Sequence, residues 1–240
     1  MSAAFLVTSG DLALPITWRQ YTDDIDIVVH LIRTYAPGAK VGILGENSYE
    51  WMVAHAAILF SGAVVIPIDM NLNPQESAER MKFTGAVALI HSSLYEDKAR
   101  EAGRLTPGLI VAGFGTIKTE RFLDRLRGAF GLGDSIWQKD HLELDEDSTG
   151  EPQTSMIVFT SGTTSKPRGA ELTVKSLEAF CESWVPILPM APGDRSLMLL
   201  PLHHIFGICV VYLMLMRGFA LGVCPDFRRI YDAFERFRVN

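Results

Sequence analysis

The strongest constraint on this chain is a set of short runs that are apolar at nearly every residue, spaced by stretches long enough to be helices. The runs are VGILG (41–45), AVVIPID (63–69), VALIHS (87–92), LIVAGF (109–114), MIVFT (156–160), LMLLPL (197–202) and ALGVC (220–224). A strand buried on both faces reads this way, whereas a strand wet on one face alternates. The intervening segments DDIDIVVHLIRTY, SYEWMVAHAAILF, PQESAERMKF and TVKSLEAFCESWV have helical length and patterning. Strand, helix, strand in succession predicts an α/β fold of layered, largely parallel sheets flanked by helices. The polar, acidic segment ELDEDSTGEPQ (143–153) is the candidate linker. It predicts a first α/β lobe over residues 1–145 and a second over 146–240.

Two helix starts are written into the sequence, Asn47-Ser48 and Asn73-Pro74, each placing a capping side chain before a helical run. Residues 205–224, IFGICVVYLMLMRGFALGVC, have the length of a membrane span. Arg217 and Gly218 divide the stretch, so it reads as a buried helix followed by a buried strand. No transmembrane span is expected; peripheral membrane contact and a homodimer stay open. With 28 acidic against 22 basic residues the net charge is −6, which argues against a nucleic-acid partner. Cys181, Cys209 and Cys224 form neither a CxxC pair nor an even-numbered framework, and the N-terminus lacks a secretory pattern. Both features point to the cytoplasm. His30, His55, His91 and His141 show no metal-ligand spacing, so no protein-held metal is expected.

The segment that carries chemistry is FTSGTTSKPRG, residues 159–169. An apolar strand delivers the chain into small hydroxyl residues around a glycine. Backbone amides can approach an anion closely there, and successive amides in a turn form an anion-binding nest. Thr160, Ser161, Thr163, Thr164 and Ser165 add hydroxyl donors beside Gly162, and Lys166 and Arg168 add positive charge before Gly169. A charge-assisted hydrogen bond contributes about 1.5–3 kcal/mol. A polyphosphate is the natural guest of such a loop. The Walker spacing is absent, and GFGTIK (113–118) and GLGDSI (131–136) carry only part of a dinucleotide fingerprint, so they read as turns.

FTSGTTSKPRG resembles the phosphate-binding loop of the adenylate-forming superfamily, Tyr/Phe-Thr-Ser-Gly-Thr-Thr-Gly-x-Pro-Lys-Gly, with Ser165 in place of a glycine and Arg168 in place of a lysine. Further on, Val174 stands where relatives often carry His. Upstream, AKVGILGENSYEWMVAHAAILFSGAVVIPIDMNLNPQE resembles the family's first-lobe stretch, with ENSYEW closest to long-chain fatty acyl-CoA synthetases. Downstream, LPLHHIFG (200–207) resembles the Pro-Leu-x-His motif beside the acyl pocket. The resemblance implies ATP with Mg²⁺, a carboxylate substrate of the fatty-acid type, and CoA or a carrier-protein thiol as acceptor.

It further implies that Thr160 to Arg168 hold the β- and γ-phosphates, with Arg168 and His204 catalytic. His204 lies near the α-phosphate and the acyl carboxylate in that scheme, while Phe206 and Gly207 line the acyl pocket. Members of the family are about twice this length. Their adenine motif, ribose-binding aspartate, hinge and lysine-bearing C-terminal lid have no counterpart before Asn240. The expectation is an N-terminal portion of an acyl-activating ligase that is catalytically silent by itself. The alternative is a naturally short module that binds nucleotide or acyl chain without turnover.

Overall fold

The computed structural model describes residues 3–9, 12–35, 38–114, 153–159, 167–224 and 227–239. Among the described residues lie ten strands and seven helices in two sheets. The chain opens with an antiparallel pair, β1 (Ala3–Ser9) and β2 (Leu12–Thr17), followed by α1 (Trp18–Tyr35). Then come β3 (Lys40–Leu44), α2 (Tyr49–Phe60), β4 (Val64–Ile68), α3 (Pro74–Thr84), β5 (Ala88–His91), α4 (Glu96–Leu105) and β6 (Ile110–Gly113). The second half runs β7 (Thr154–Phe159), β8 (Gly169–Thr173), α5 (Val174–Trp184), β9 (Arg195–Met198), α6 (Ile205–Arg217), β10 (Ala220–Val223) and α7 (Ile230–Phe237).

The larger sheet has the order β6-β5-β3-β4-β7-β8 and is parallel except for β8, which returns antiparallel on β7. The smaller sheet has the order β2-β1-β10-β9, parallel through β1, β10 and β9, with β2 antiparallel at its edge. The layered, mostly parallel architecture is the one the apolar runs predict, and each of the seven runs overlaps a strand, LMLLPL by its first two residues only. Three strands lie outside that set. β1 and β2 form an antiparallel hairpin over the apolar runs AAFLV (3–7) and LALPI (12–16), and β8 is the antiparallel edge strand of the larger sheet, without such a run.

Strand faces sort the core into layers. Val41 and Ile43 of β3 point with Val65 of β4 into a core shared with α1, α2, α5, α6 and the inner face of the smaller sheet. Leu44, Val64, Ile66 and Ile68 point the other way, against Ala78 and Met81 of α3 and Ala99 and Ala102 of α4. Leu6, Leu197 and Cys224 on the outer face of the smaller sheet pack on Ala233 and Phe237 of α7. Helix α2 is apolar all round because it lies between both sheets, with Trp51 through Ile58 buried.

Both predicted helix starts hold. The Ser48 side chain accepts from the Trp51 amide, and Asn73 forms a capping box with Glu76 ahead of Pro74. The pseudo-span divides as read: α6 ends at Gly218, whose φ of 74° closes the helix in the left-handed region, and β10 follows. Among the described residues no helix is long and apolar enough to cross a membrane. All three cysteines are buried and unbridged. The expected linker and the lobe boundary at residue 145 lie outside the described residues. Strands from both sides of that boundary occur in each sheet: β7 and β8 extend the larger one, while β1 and β2 join the smaller one.

Candidate functional site

Parallel strands carry their ligand sites beyond their carboxyl ends, and two of the sequence's marked segments meet that rule here. Strand β7 runs parallel to β4 with Val65 opposite Met156, and β8 comes back with Gly169 opposite Phe159. The carboxyl end of β7 is therefore where the hydroxyl-rich segment begins, and β8 is where the chain resumes after it. Thr160, Ser161, Gly162, Thr163, Thr164, Ser165 and Lys166 lie outside the described residues. The loop's two ends are described, and both are anchored. The Phe159 ring meets Phe83 edge-on at 6.1 Å, with the Arg80 guanidinium carbon 5.3 Å from its centroid. At Gly169 a Cβ would come 2.7 Å from Ile157 Cγ2, so the strand return requires glycine for packing. Arg168, between them, is exposed and available to an anion.

The second segment follows β9. Pro201 to His204 form a turn closed by the His204 amide donating to the Pro201 carbonyl at 3.0 Å, and His204 is the N-cap residue of α6. Its side chain makes no capping bond and stays exposed. The exposed ring thus stands beside a helix start that no side chain caps, an arrangement that suits an anion. Gly207 is buried, and a Cβ there would lie 2.3 Å from the Pro201 carbonyl oxygen. The sequence reading put Gly207 in an acyl wall; its lack of a side chain is accounted for by the close approach of α6 to its own preceding turn. Phe206 is 52% exposed and touches Phe180 and Trp184 of α5 edge-on, at 6.0 and 6.4 Å. Neither α5 aromatic stands out in the sequence, since both read as one amphipathic helix face.

His203 and His204 are adjacent but differ in role. The His203 side chain is 5% exposed, and its Nε2 lies 3.3 Å from Asp69 Oδ1, just past the end of β4. Burial pushes its pKa below the ordinary value and the neighbouring His204 adds to that, while Asp69 opposes it. The neutral ring with its proton on Nε2 fits as donor to the carboxylate. His203 thus points back into the protein and His204 out of it, their ring centroids 4.4 Å apart.

Asn47, past the end of β3, completes the arrangement. Its carboxamide is buried, donating from Nδ2 to the Leu200 carbonyl and accepting at Oδ1 from the Leu202 amide, both at 2.9 Å. The turn bearing His204 therefore sits over the carboxyl ends of β3 and β4, and β4 is the neighbour of β7. On one side of α6, Leu199, Leu200, Val210, Leu213 and Phe219 line an apolar cleft of about 250 Å³. Of the other histidines, His55 is buried against the Trp51 ring and burial pushes its pKa down to about 4. His91 is buried with Nδ1 2.8 Å from the Ser92 carbonyl oxygen. His141 lies outside the described residues. Among the described residues no group of three or more His, Cys, Asp or Glu side chains is placed to hold a metal ion.

With this geometry in place, comparison with known proteins is informative. A family model described as AMP-binding enzyme matches residues 6–240. The 4-coumarate–CoA ligase 2 of Oryza sativa subsp. japonica is 31% identical over 216 residues, 85% of this chain and 38% of that protein. The long-chain-fatty-acid–CoA ligase FadD13 of Mycobacterium tuberculosis is 28% identical over 194 residues, 80% of this chain and 36% of the relative. Among solved structures, the N-terminal domain of FACL13 from Mycobacterium tuberculosis superposes with a TM-score of 0.78 at 21% identity. That match covers 99% of this chain and 57% of the other. The O-succinylbenzoate coenzyme A synthetase of Bacillus subtilis, solved with ATP and magnesium ion, gives 0.75 at 17% identity, covering 100% and 58%. The chain spans well under two thirds of the length of these relatives.

Proposed function

The chain belongs to the AMP-binding enzyme family, and on that premise we propose that it is the N-terminal portion of an ATP-dependent carboxylate-activating ligase. The observation that carries this reading is the placement of two anion-suited segments at neighbouring strand ends. One is the loop between Phe159 and Gly169; the other is the turn that presents His204 at the start of α6.

In the proposed reaction a carboxylate oxygen attacks the α-phosphorus of ATP, the bond to the bridging oxygen breaks, and pyrophosphate leaves as the acyl-adenylate forms. A thiol, of CoA or of a carrier protein, then takes the acyl group and releases AMP. The first step is an in-line displacement, so the protein's work is positioning and charge neutralisation. Backbone amides and hydroxyls of residues 160–166, with Lys166 and Arg168, receive the β- and γ-phosphates. His204 donates a hydrogen bond at the α-phosphate or the attacking carboxylate. Mg²⁺ accompanies the triphosphate in this family's chemistry, and the described residues form no cage of three or more His, Cys, Asp or Glu side chains for it.

A fatty acid is the substrate class proposed for the acid. What supports it is the aliphatic cleft beside α6 together with the aromatic surface of Phe180, Trp184 and Phe206. An aryl acid is the competitor, since 4-coumarate–CoA ligase 2 is among the relatives. The test is melting of the purified chain with MgATP, then pyrophosphate release with palmitate or 4-coumarate added. A bound ligand at a hundred times its Kd stabilises by about 2.7 kcal/mol, enough to raise the melting temperature by roughly 5–10 °C at this size. Stabilisation without pyrophosphate release is expected of the portion alone. Pyrophosphate release would show the chain to be competent by itself, and no stabilisation by MgATP would refute the nucleotide site.

A further inference from the structure

We propose that Asn47 is a positioning residue for His204, clasping the Leu200–Leu202 backbone so that the Pro201–His204 turn is held over the ends of β3 and β4. Asp69, through His203, is the second point of the same clasp. The proposal rests on the reading of His204 as the group that meets the substrate.

Asn47 begins as a helix-start residue in the sequence, but Ser48 supplies the cap of α2, which leaves the Asn47 carboxamide for other work. That carboxamide is 4% exposed and bonds only across the fold, to the residues on either side of Pro201. Pro201 has no amide hydrogen, so the adjoining carbonyl and amide need a partner that both donates and accepts. A carboxamide presents one donor and one acceptor side by side in a plane. Its orientation is dictated too, because the Leu200 carbonyl only accepts and the Leu202 amide only donates. Aspartate lacks the donor, leucine lacks both, and glutamine adds a methylene in a buried space.

The clasp joins the two sheets at the end where the site lies. Asn47 follows β3 of the larger sheet, and Leu200 to Leu202 follow β9 of the smaller one. Asp69, past the end of the neighbouring strand β4, adds a second tie: its Oδ1 takes the Asn71 amide at 2.8 Å and the Asn71 Nδ2 at 3.0 Å, and faces His203 Nε2 at 3.3 Å. Three consecutive devices then fix the backbone of His204: the clasp at Leu202, the carboxylate on His203, and the His204 amide bond that closes the turn. The His204 ring itself is left unbonded at the cap and exposed, which is what a substrate-facing group held by its backbone looks like.

The test uses the full chain, with amide hydrogen exchange at Leu202 and the His204 ring signal followed by NMR well below the melting temperature. In Asn47→Leu the Leu202 amide is expected to exchange about tenfold faster, the loss of one buried hydrogen bond. The change in the His204 ring signal on adding MgATP is expected to shrink or vanish, while folded-state signals from α3 and α4 stay in place. A purely structural role would lower the melting temperature and leave the His204 response of the folded protein intact. Asn47→Asp keeps the acceptor and is expected to recover part of the Leu202 protection. Asp69→Asn reads the second tie without touching the core: the His203 titration should fall further below its ordinary value, because Asp69 is what raises it. Unchanged Leu202 exchange and His204 response in Asn47→Leu would overturn the clasp, as would an unchanged His203 titration in Asp69→Asn. If the wild-type chain shows no response to MgATP at all, the nucleotide reading and the His204 role that rests on it both fail. Leu202 exchange and the His203 titration then still decide whether the clasp itself exists.

Discussion

The loop from Phe159 to Gly169 and the turn from Leu200 to His204 both bring candidate groups to the same end of the fold, yet they are held in opposite ways. The loop is gripped by its ends, through strand pairing, the Phe159–Phe83 contact and the tight fit of Gly169 on Ile157. The turn is gripped through its middle, by the buried Asn47 and the part-exposed Asp69, both from the other sheet. Small residues and backbone amides suit a loop that must close around a polyphosphate. A single ring that must meet one reacting centre needs its backbone fixed instead, and that requires partners far away in sequence.

Substitutions that unseat one region and spare the other sharpen this contrast. The largest loss is expected for Gly207→Ala, whose Cβ would lie 2.3 Å from the Pro201 carbonyl. Overpacking of this kind costs about 3 kcal/mol, read as a lower urea midpoint, with the turn disturbed and the β7–β8 pairing kept. Acidification comes next and acts on the core and the turn. His55 has its pKa lowered from 6.5 to about 4 by burial, so the unfolded chain binds the proton first. The stability tied to neutral His55 is complete above pH 6.5 and is lost as the pH falls toward 4, about 3 kcal/mol in all. His203, lowered likewise by burial, adds to the loss in the same direction. His55→Leu should flatten the His55 part of this dependence in denaturation measured from pH 7 to 4.

Asn47→Leu is expected to cost about 2 kcal/mol by the same assay, from one buried and one part-buried backbone group left without partners. Arg168→Ala should act on the loop alone. Stability changes by less than about 0.5 kcal/mol because the side chain is exposed, while MgATP binding, measured by calorimetry, weakens by roughly tenfold or more. Among the substitutions at the turn and the start of α6, Phe206→Ala should have the smallest effect on folding, about 1 kcal/mol, since the ring is half exposed and its contacts are two aromatic edges. A loss at Phe206 as large as that at Gly207 would contradict the packing described for the start of α6.

What the sequence makes legible follows from whether the cause is local. The two-faced burial of β3, β4 and β5 writes continuous apolar runs, so the layered parallel architecture could be read directly. Capping is equally local, and Ser48, Asn73 and the break at Gly218 stand where expected. The hydroxyl-rich loop and the LPLHH segment are visible because their residue types are unusual for a strand end. The strands β1 and β2 were not read from their apolar runs, and the pairing of β1 with β10, more than two hundred residues later, is not written locally. Asn47 was visible only as a helix-start signal, since its partners at Leu200 and Leu202 are 153 and 155 residues away. The motif already singled out His204 over His203 in the sequence; that His203 turns inward to Asp69 needed the structure.

The loop and the turn are proposed to serve one nucleotide. The most direct measurement is titration of MgATP into chain labelled at histidine and arginine, with the His204 ring and Arg168 side-chain signals followed together. Both are predicted to shift along a single saturation curve, with both responses weakened in Arg168→Ala. Saturation at Arg168 with His204 unmoved, or no response at either, would contradict it.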